Sequence, residues 1–138
     1  MLKIDFPIDD ILAGIEGAQK KTLRFATEFL QDMNQHVVEN TPFLTGNLRG
    51  SWYAGLNGEP EAGNGPADPG GGGAVARLNM TLMGLKIGDT YYAVNGANYA
   101  GYVEYGTSRM WPRAFVRLTV GLAGVYAAEA AARVAAED

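Results

Sequence analysis

The chain has 138 residues, among them 19 Gly, one His and no Cys, and it carries a formal net charge of −4. That composition excludes a disulfide framework, a thiolate nucleophile or metal site, a multi-histidine centre within one chain and a basic stripe for gripping duplex phosphates. No apolar run nears the length of a membrane span, no basic start followed by an apolar block points to a signal peptide, and the length suits one domain, 1–138.

Residues 1–7 read as a short extended lead, with Leu2, Ile4 and Phe6 alternating with Lys3 and Asp5. Asp9 or Asp10 then caps a long helix. Its apolar stripe is Ile8, Leu12, Ile15, Thr22 or Leu23, Ala26, Leu30, Met33 and Val37, at a period of about 3.6 residues. Glu16–Lys20 and Arg24–Glu28 are pairs four apart on the wet side. Gly14 and Gly17 each weaken the helix by about 1 kcal/mol relative to Ala and let another backbone come close. Asn40-Thr41-Pro42 stops it near Glu39. Residues 41–46 form a turn. The stretch 47–56 reads as a strand, with room for a helical turn at its start. Leu48, Gly50, Trp52, Ala54 and Leu56 share one side.

Residues 57–74 differ in kind, with seven Gly, three Pro, three acids and no base. A segment with so little to bury cannot offset its ordering entropy, so a mobile loop is expected, one that serves assembly rather than the fold. Residues 75–85 suit a short helix. A turn at Gly88-Asp89 leads into a strand ending near Asn95, and Asn95-Gly96 turns again.

The stretch 99–115 forms a compact corner. Tyr99, Tyr102 and Tyr105 recur every third residue, which suits one or two helical turns with an aromatic face. Gly106 frees the backbone for a turn, and Pro112 is placed to start the last helix. That helix spans 113–137, with Leu118, Leu122 and Val125 as its apolar face and a thin face of Gly121, Gly124 and several Ala. The expected architecture is α+β: long N-terminal and C-terminal helices packed on a small, mainly antiparallel β-sheet, with a long Gly-rich loop. The expected core is Leu12, Ile15, Leu30, Met33, Val37, Trp52, Ile87, Tyr92, Val94, Phe115, Leu118 and Leu122.

Chemistry is sparse. His36 is the only imidazole, and neither Ser51 nor Ser108 sits in a nucleophile elbow. Glu104 could act as an acid or base. A carboxylate among Tyr rings is more readily satisfied by backbone donors or a cation, Arg49 first, with Arg109 and Arg113 as the other choices. Asp9, Asp10, Asp68 and Asp89 lack the spacing of a calcium loop. The run Gly70 to Gly73 lacks the Lys-Ser/Thr of a phosphate cradle. No catalytic, metal or cofactor site emerges. Tyr99, Tyr102, Tyr105, Arg109, Trp111 and Arg113 are the candidate contacts for a subunit or neighbouring protein. Trp52, Tyr53 and Trp111 offer an alternative, an aromatic platform for a small ligand or glycan.

Two motifs carry a resemblance. The first is Thr41-Pro42-x-x-Thr45-Gly46-x-Leu48-Arg49-x-Ser51, just after a long helix. The second is Asn98-Tyr99-Ala100-x-Tyr102-Val103-Glu104-x-Gly106-Thr107-Ser108, followed by Pro112, Phe115 and Arg117. With Gly88-Asp89-x-x-Tyr92 between them, the chain resembles the tail-completion or neck family of long-tailed bacteriophages, the lambda minor tail protein Z-like proteins. The resemblance covers roughly residues 12–125. It implies a virion structural protein at the head–tail junction, assembled in the host cytoplasm, with no enzymatic activity and no cofactor. It implies a homo-oligomeric ring, six-fold by analogy with phage tails. Its partners would be head-completion, tail-terminator or tail-tube proteins, and DNA would pass without sequence-specific binding.

Overall fold

The computed structural model describes residues 2–7, 19–42, 46–108 and 113–137. Three strands, β1 (Leu2–Pro7), β2 (Trp52–Leu56) and β3 (Thr90–Asn95), form an antiparallel sheet in the order β1-β3-β2. Trp52, Ala54 and Leu56 stand opposite Asn95, Ala93 and Tyr91, and Ile4 stands opposite Ala93 from the other side. Side chains alternate along a strand, so these residues share the face turned to the helices. The alternation expected in the first strand and in 52–56 is therefore the observed one.

Six helices complete the α+β fold among the described residues: α1 (Gln19–Asn40), the single turn α2 (Asn47–Gly50), α3 (Gly72–Leu82), α4 (Ala100–Tyr105), α5 (Phe115–Gly121) and α6 (Ala123–Ala135). The central one is α1. It buries Phe25, Ala26, Phe29, Leu30, Met33, Val37 and Val38. The expected cap at Asp9 or Asp10, and Ile8, Leu12, Gly14, Ile15, Glu16 and Gly17, lie outside the described residues.

The two flanks of α1 carry different neighbours. Asn34 donates to Asn79 of α3 at 3.0 Å and accepts from the buried Tyr91 hydroxyl at 2.9 Å. Burial pushes the Tyr91 phenol far above its usual pKa, more than the bond to Asn34 lowers it, so the ring stays a neutral donor. On the other flank, Arg133 of α6 reaches Glu28 at 3.1 Å and Asp32 at 2.6 Å, and Arg24 reaches Glu137 at 2.5 Å. The Arg24–Glu28 side of α1, expected to be wet, is thus half covered by α6. At about 100° per residue, Asn34 lies about 200° from Asp32, so α3 and α6 pack on opposite flanks of α1.

The end of α1 is tied down by polar groups. Thr41 donates its hydroxyl to Val37 O at 2.6 Å and accepts the buried Trp52 indole N–H at 3.0 Å. Arg49 donates to Thr41 O at 2.7 Å and to Pro69 O at 2.6 Å. A cation is favoured where the last carbonyls of a helix point outward. Trp52 then packs edge-on against Phe115, with ring centroids 6.3 Å apart, an arrangement worth about 0.5–1.5 kcal/mol beyond its area burial.

The Gly-rich stretch, expected as a mobile loop, is bonded to the rest of the fold at several points. Its last residues already belong to α3, whose start is capped by Asp68 accepting from Ala74 N at 2.8 Å. Before that, the chain crosses the sheet face opposite the helices. Lys3 pairs with Glu59, and a Cβ on Gly55 would meet Gly58 and Pro60. Beneath this cover Val94 is fully buried. Gly65 N donates to Ser51 Oγ at 2.8 Å, Asn47 donates to Gly65 O at 2.9 Å, and Asp68 N donates to Gly46 O at 3.0 Å. The stretch needs no large side chain because it is held backbone to backbone. A Cβ on Gly65 would come to 1.9 Å from Gly50 O, and one on Gly50 to 1.8 Å from Pro66 O.

The C-terminal helix also differs from expectation. It breaks at Leu122 into α5 and α6 with a bend of 49°, and neither piece alone is long and apolar enough to cross a membrane. Phe115, Thr119, Ala130 and Val134 face inward, while Leu118 and Leu122, expected in the core, and Val125, expected on the same apolar face, are exposed. Ile87 is exposed as well, and Tyr91 rather than Tyr92 takes the buried side of β3. Register explains that exchange: Tyr91 stands opposite Leu56 on the helix-facing side, and Tyr92 opposite Gly55 on the other.

Gly65→Ala forces two backbones apart and is expected to cost about 2–4 kcal/mol in chemical denaturation. Gly70→Ala, with open space at its Cβ, is expected to be neutral within about 0.5 kcal/mol. Replacing residues 58–73 by a short Gly-Ser linker is expected to lower the melting temperature by more than about 8 °C. A smaller fall would restore the mobile-loop expectation.

Candidate interaction surface

The corner between α4 and α5 is built around one carboxylate. Ala114 precedes α5 with φ 47° and ψ 33°, a left-handed conformation that L-residues adopt at a cost, and it has no side-chain oxygen to cap the helix. Glu104 supplies the cap from α4. Its Oε1 accepts from Val116 N at 2.7 Å, and its Oε2 accepts from Arg117 N at 3.1 Å. The Arg117 guanidinium closes the arrangement, with Nε on Oε2 at 2.7 Å and Nη2 on Glu104 O at 2.6 Å. Glu104 is fully buried, so these charge-assisted bonds replace the water it has lost. The backbone adds two more ties, Arg113 N to Val103 O at 2.9 Å and Ala114 N to Glu104 O at 3.1 Å.

Glu104 is therefore held by backbone donors and an Arg, the kind of partnership expected, but the Arg is Arg117. Arg49, the first choice on sequence grounds, sits instead at the end of α1, bonded to Thr41 and Pro69. The alternatives fare differently: Arg113 is exposed, and Arg109 lies outside the described residues.

The same clamp sets the outer face. Tyr102 and Tyr105 flank the buried Glu104 in sequence yet are 63% and 61% exposed. Arg117 links the two sides of the corner, its guanidinium 4.7 Å from the centroid of the Tyr105 ring while it holds Glu104. Tyr99 turns inward and packs against the core. Of the six contact candidates, Tyr102, Tyr105 and Arg113 are exposed. Trp111, like Arg109, lies outside the described residues.

The other chemical readings lose their groups to the fold. Trp52 is fully buried, and Arg77 stands over the Tyr53 ring at 4.5 Å, so these two cannot form an open stacking platform. The Thr119 hydroxyl donates to Phe115 O at 2.9 Å, which leaves its oxygen to accept from His36 Nδ1 at 2.6 Å. His36 thereby joins α1 to α5, with its ring edge-on to Tyr126. Among the described residues no group of three His, Asp or Glu is placed to hold a metal ion.

The sequence reading placed several apolar residues inward that stand exposed beyond the corner. The exposed set includes Leu118, Val120, Leu122 and Val125 along α5 and α6, and Met80, Met83 and Ile87 around the end of α3. A signal was present. The last helix carries two apolar stripes, and only the one through Phe115, Thr119, Tyr126, Ala130 and Val134 meets α1.

Comparison of the chain with family models, with curated proteins and with solved structures finds no match.

Glu104→Gln keeps the shape but removes the charge, and it is expected to cost about 1–3 kcal/mol. Glu104→Ala strips the start of α5 of its acceptor and is expected to cost more, about 2–4 kcal/mol. Denaturant titration of the three proteins measures both, and two variants as stable as wild type would contradict the clamp.

Proposed function

We propose that the chain is a virion structural protein, a tail-completion or neck component that forms a ring at the head–tail junction of a long-tailed phage. The observation that carries this reading is the rigid aromatic corner. Two Tyr stand more than half exposed on either side of a carboxylate that is fully buried and bonded at both oxygens. Tyr and Arg on a fixed scaffold are the residues that dominate protein–protein contacts, because they offer large area at low ordering cost. A corner displayed on helices and braced by an ion pair suits docking better than catalysis.

Other features agree with it. The residues that carry the family resemblance hold architecture: Thr41 and Arg49 close α1, Ser51 ties the Gly-rich cover, and Glu104 with Arg117 starts α5. The net charge of −4 suits a conduit wall past which a polyanion must slide rather than stick. A ring also needs contact surfaces beyond the corner, and the exposed apolar residues of α3 and α5–α6 provide area for them.

The test uses a phage or prophage with its own copy of this gene disrupted, complemented in trans. Tyr102→Ser with Tyr105→Ser is expected to leave the melting temperature within about 3 °C of wild type, since both rings are exposed. The yield of joined, infectious particles is expected to fall at least tenfold, with unjoined heads and tails accumulating in micrographs. Full yield from the disrupted phage without any copy of the protein would overturn the reading.

A further inference from the structure

We propose that the ring contact runs head to tail between two different faces of the chain. The outer side of the α5–α6 bend in one copy packs on the end of α3 in the next. The occupant of each face is thus the other face of a second copy; this deepens the neck reading and rests on it only for closure of the ring.

The first argument is position. Leu118, Leu122 and Val125 follow one another at spacings of four and three, so they form a single exposed stripe across the bend. Met80 and Met83 are three apart at the end of α3, and Ile87 follows in the next turn; Met83 is 87% exposed. The Asn34–Asn79 bond and the Arg133–Asp32 pair place α3 and α6 on opposite flanks of α1. Two apolar faces on opposite flanks suit a heterologous contact, in which each copy uses one face forward and one backward. A two-fold dimer would cover one of them and leave the other in water.

The second argument is charge. Glu129 continues the stripe four residues beyond Val125 and is exposed. Lys86 is exposed beside Ile87. Neither side chain takes part in an ion pair among the described residues, although Lys3, Arg24, Arg117 and Arg133 all do. An unpaired acid edges one apolar face and an unpaired base edges the other, so apposing the faces brings Glu129 and Lys86 together, while Asp89 of the Lys86 loop is engaged with Lys86 N at 2.7 Å and Arg133 beyond Glu129 with Glu28 and Asp32.

The third argument is shape. Gly121 and Gly124 flank the stripe, with nothing within 4 Å of a Cβ built on either, so the surface there is thin and open. Long unbranched Met side chains adapt to such a surface.

The chain has no Cys, so cross-links can be placed at will. The experiment combines sedimentation of the full chain at rising concentration with a short bismaleimide. Leu122→Cys with Met83→Cys in one chain is expected to give a ladder of dimers, trimers and higher species, and either Cys alone no more than background. Leu122→Asp and Met83→Asp each block one face. Each alone is expected to weaken association at least tenfold, and mixing the two is expected to give dimers and nothing larger, because each retains the face the other lost. Lys86→Glu is expected to weaken association and Glu129→Lys, combined with it, to restore it.

A wild-type chain that stays monomeric and uncross-linked up to about 1 mM, the range of the weakest specific contacts, overturns the proposal. Strong cross-linking through a single Cys overturns it in favour of a two-fold contact. The particle assay above remains separate. Head-to-tail association in solution with full particle yield in the absence of the protein would sustain this contact and remove the neck reading.

Discussion

The buried Glu104 carboxylate at the start of α5 is the contact on which the displayed half of the molecule depends. It bonds two backbone N–H groups of the first helical turn and the Arg117 guanidinium, and Arg117 in turn bonds the Glu104 carbonyl. One residue thereby fixes the angle between α4 and α5 where Ala114 offers no cap of its own. A charge removed from water is costly unless all its acceptor positions are used. Here both oxygens are bonded, three bonds in all, and Tyr102 and Tyr105 stand outward beside them.

The other half of the molecule is fixed by a different constraint, the close approach of backbones. Gly65 lies against Gly50, and the chain around it closes over the sheet, leaving Val94 buried between cover and core. Arg49 couples that cover to the end of α1 by bonding Thr41 O and Pro69 O together. The first resemblance motif is thus the joint between helix, strand and cover, and the second is the joint between α4 and α5. Both preserve angles between elements, which an assembly subunit requires if the same contact is to repeat around a ring.

Much of the fold was legible from periodicity. The stripe through Ala26, Leu30, Met33 and Val37 marked the buried face of α1, and the turn at Gly88-Asp89 marked the entry to β3. The contacts of the Gly-rich cover were not legible because hydrophobic patterning weighs side chains, whereas Gly65 and Asp68 are held through main-chain groups. Leu118 and Leu122 of the C-terminal stripe were read as core because that stripe has the larger residues. The inner stripe wins because Phe115 meets Trp52, Thr119 meets His36, and small Ala130 lets α6 approach α1. The partner of Glu104 was half legible: a carboxylate in that setting calls for a cation, but the bend that brings Arg117 back rather than Arg49 depends on the left-handed Ala114. The aromatic corner itself was visible in sequence, while the outward turn of Tyr102 and Tyr105 and the inward turn of Tyr99 were not.

Amide hydrogen exchange at Val116 and Arg117, followed by NMR, tests the clamp most directly. These are first-turn N–H groups, which in an uncapped helix have no intrahelical acceptor and exchange freely. With Glu104 in place, both are expected to be protected to a degree comparable with the amides of β3, and Glu104→Gln is expected to speed their exchange at least tenfold while leaving β3 unchanged. Exchange at the unprotected rate in the wild-type protein, or no difference between wild type and Glu104→Gln, would contradict a corner set by this carboxylate.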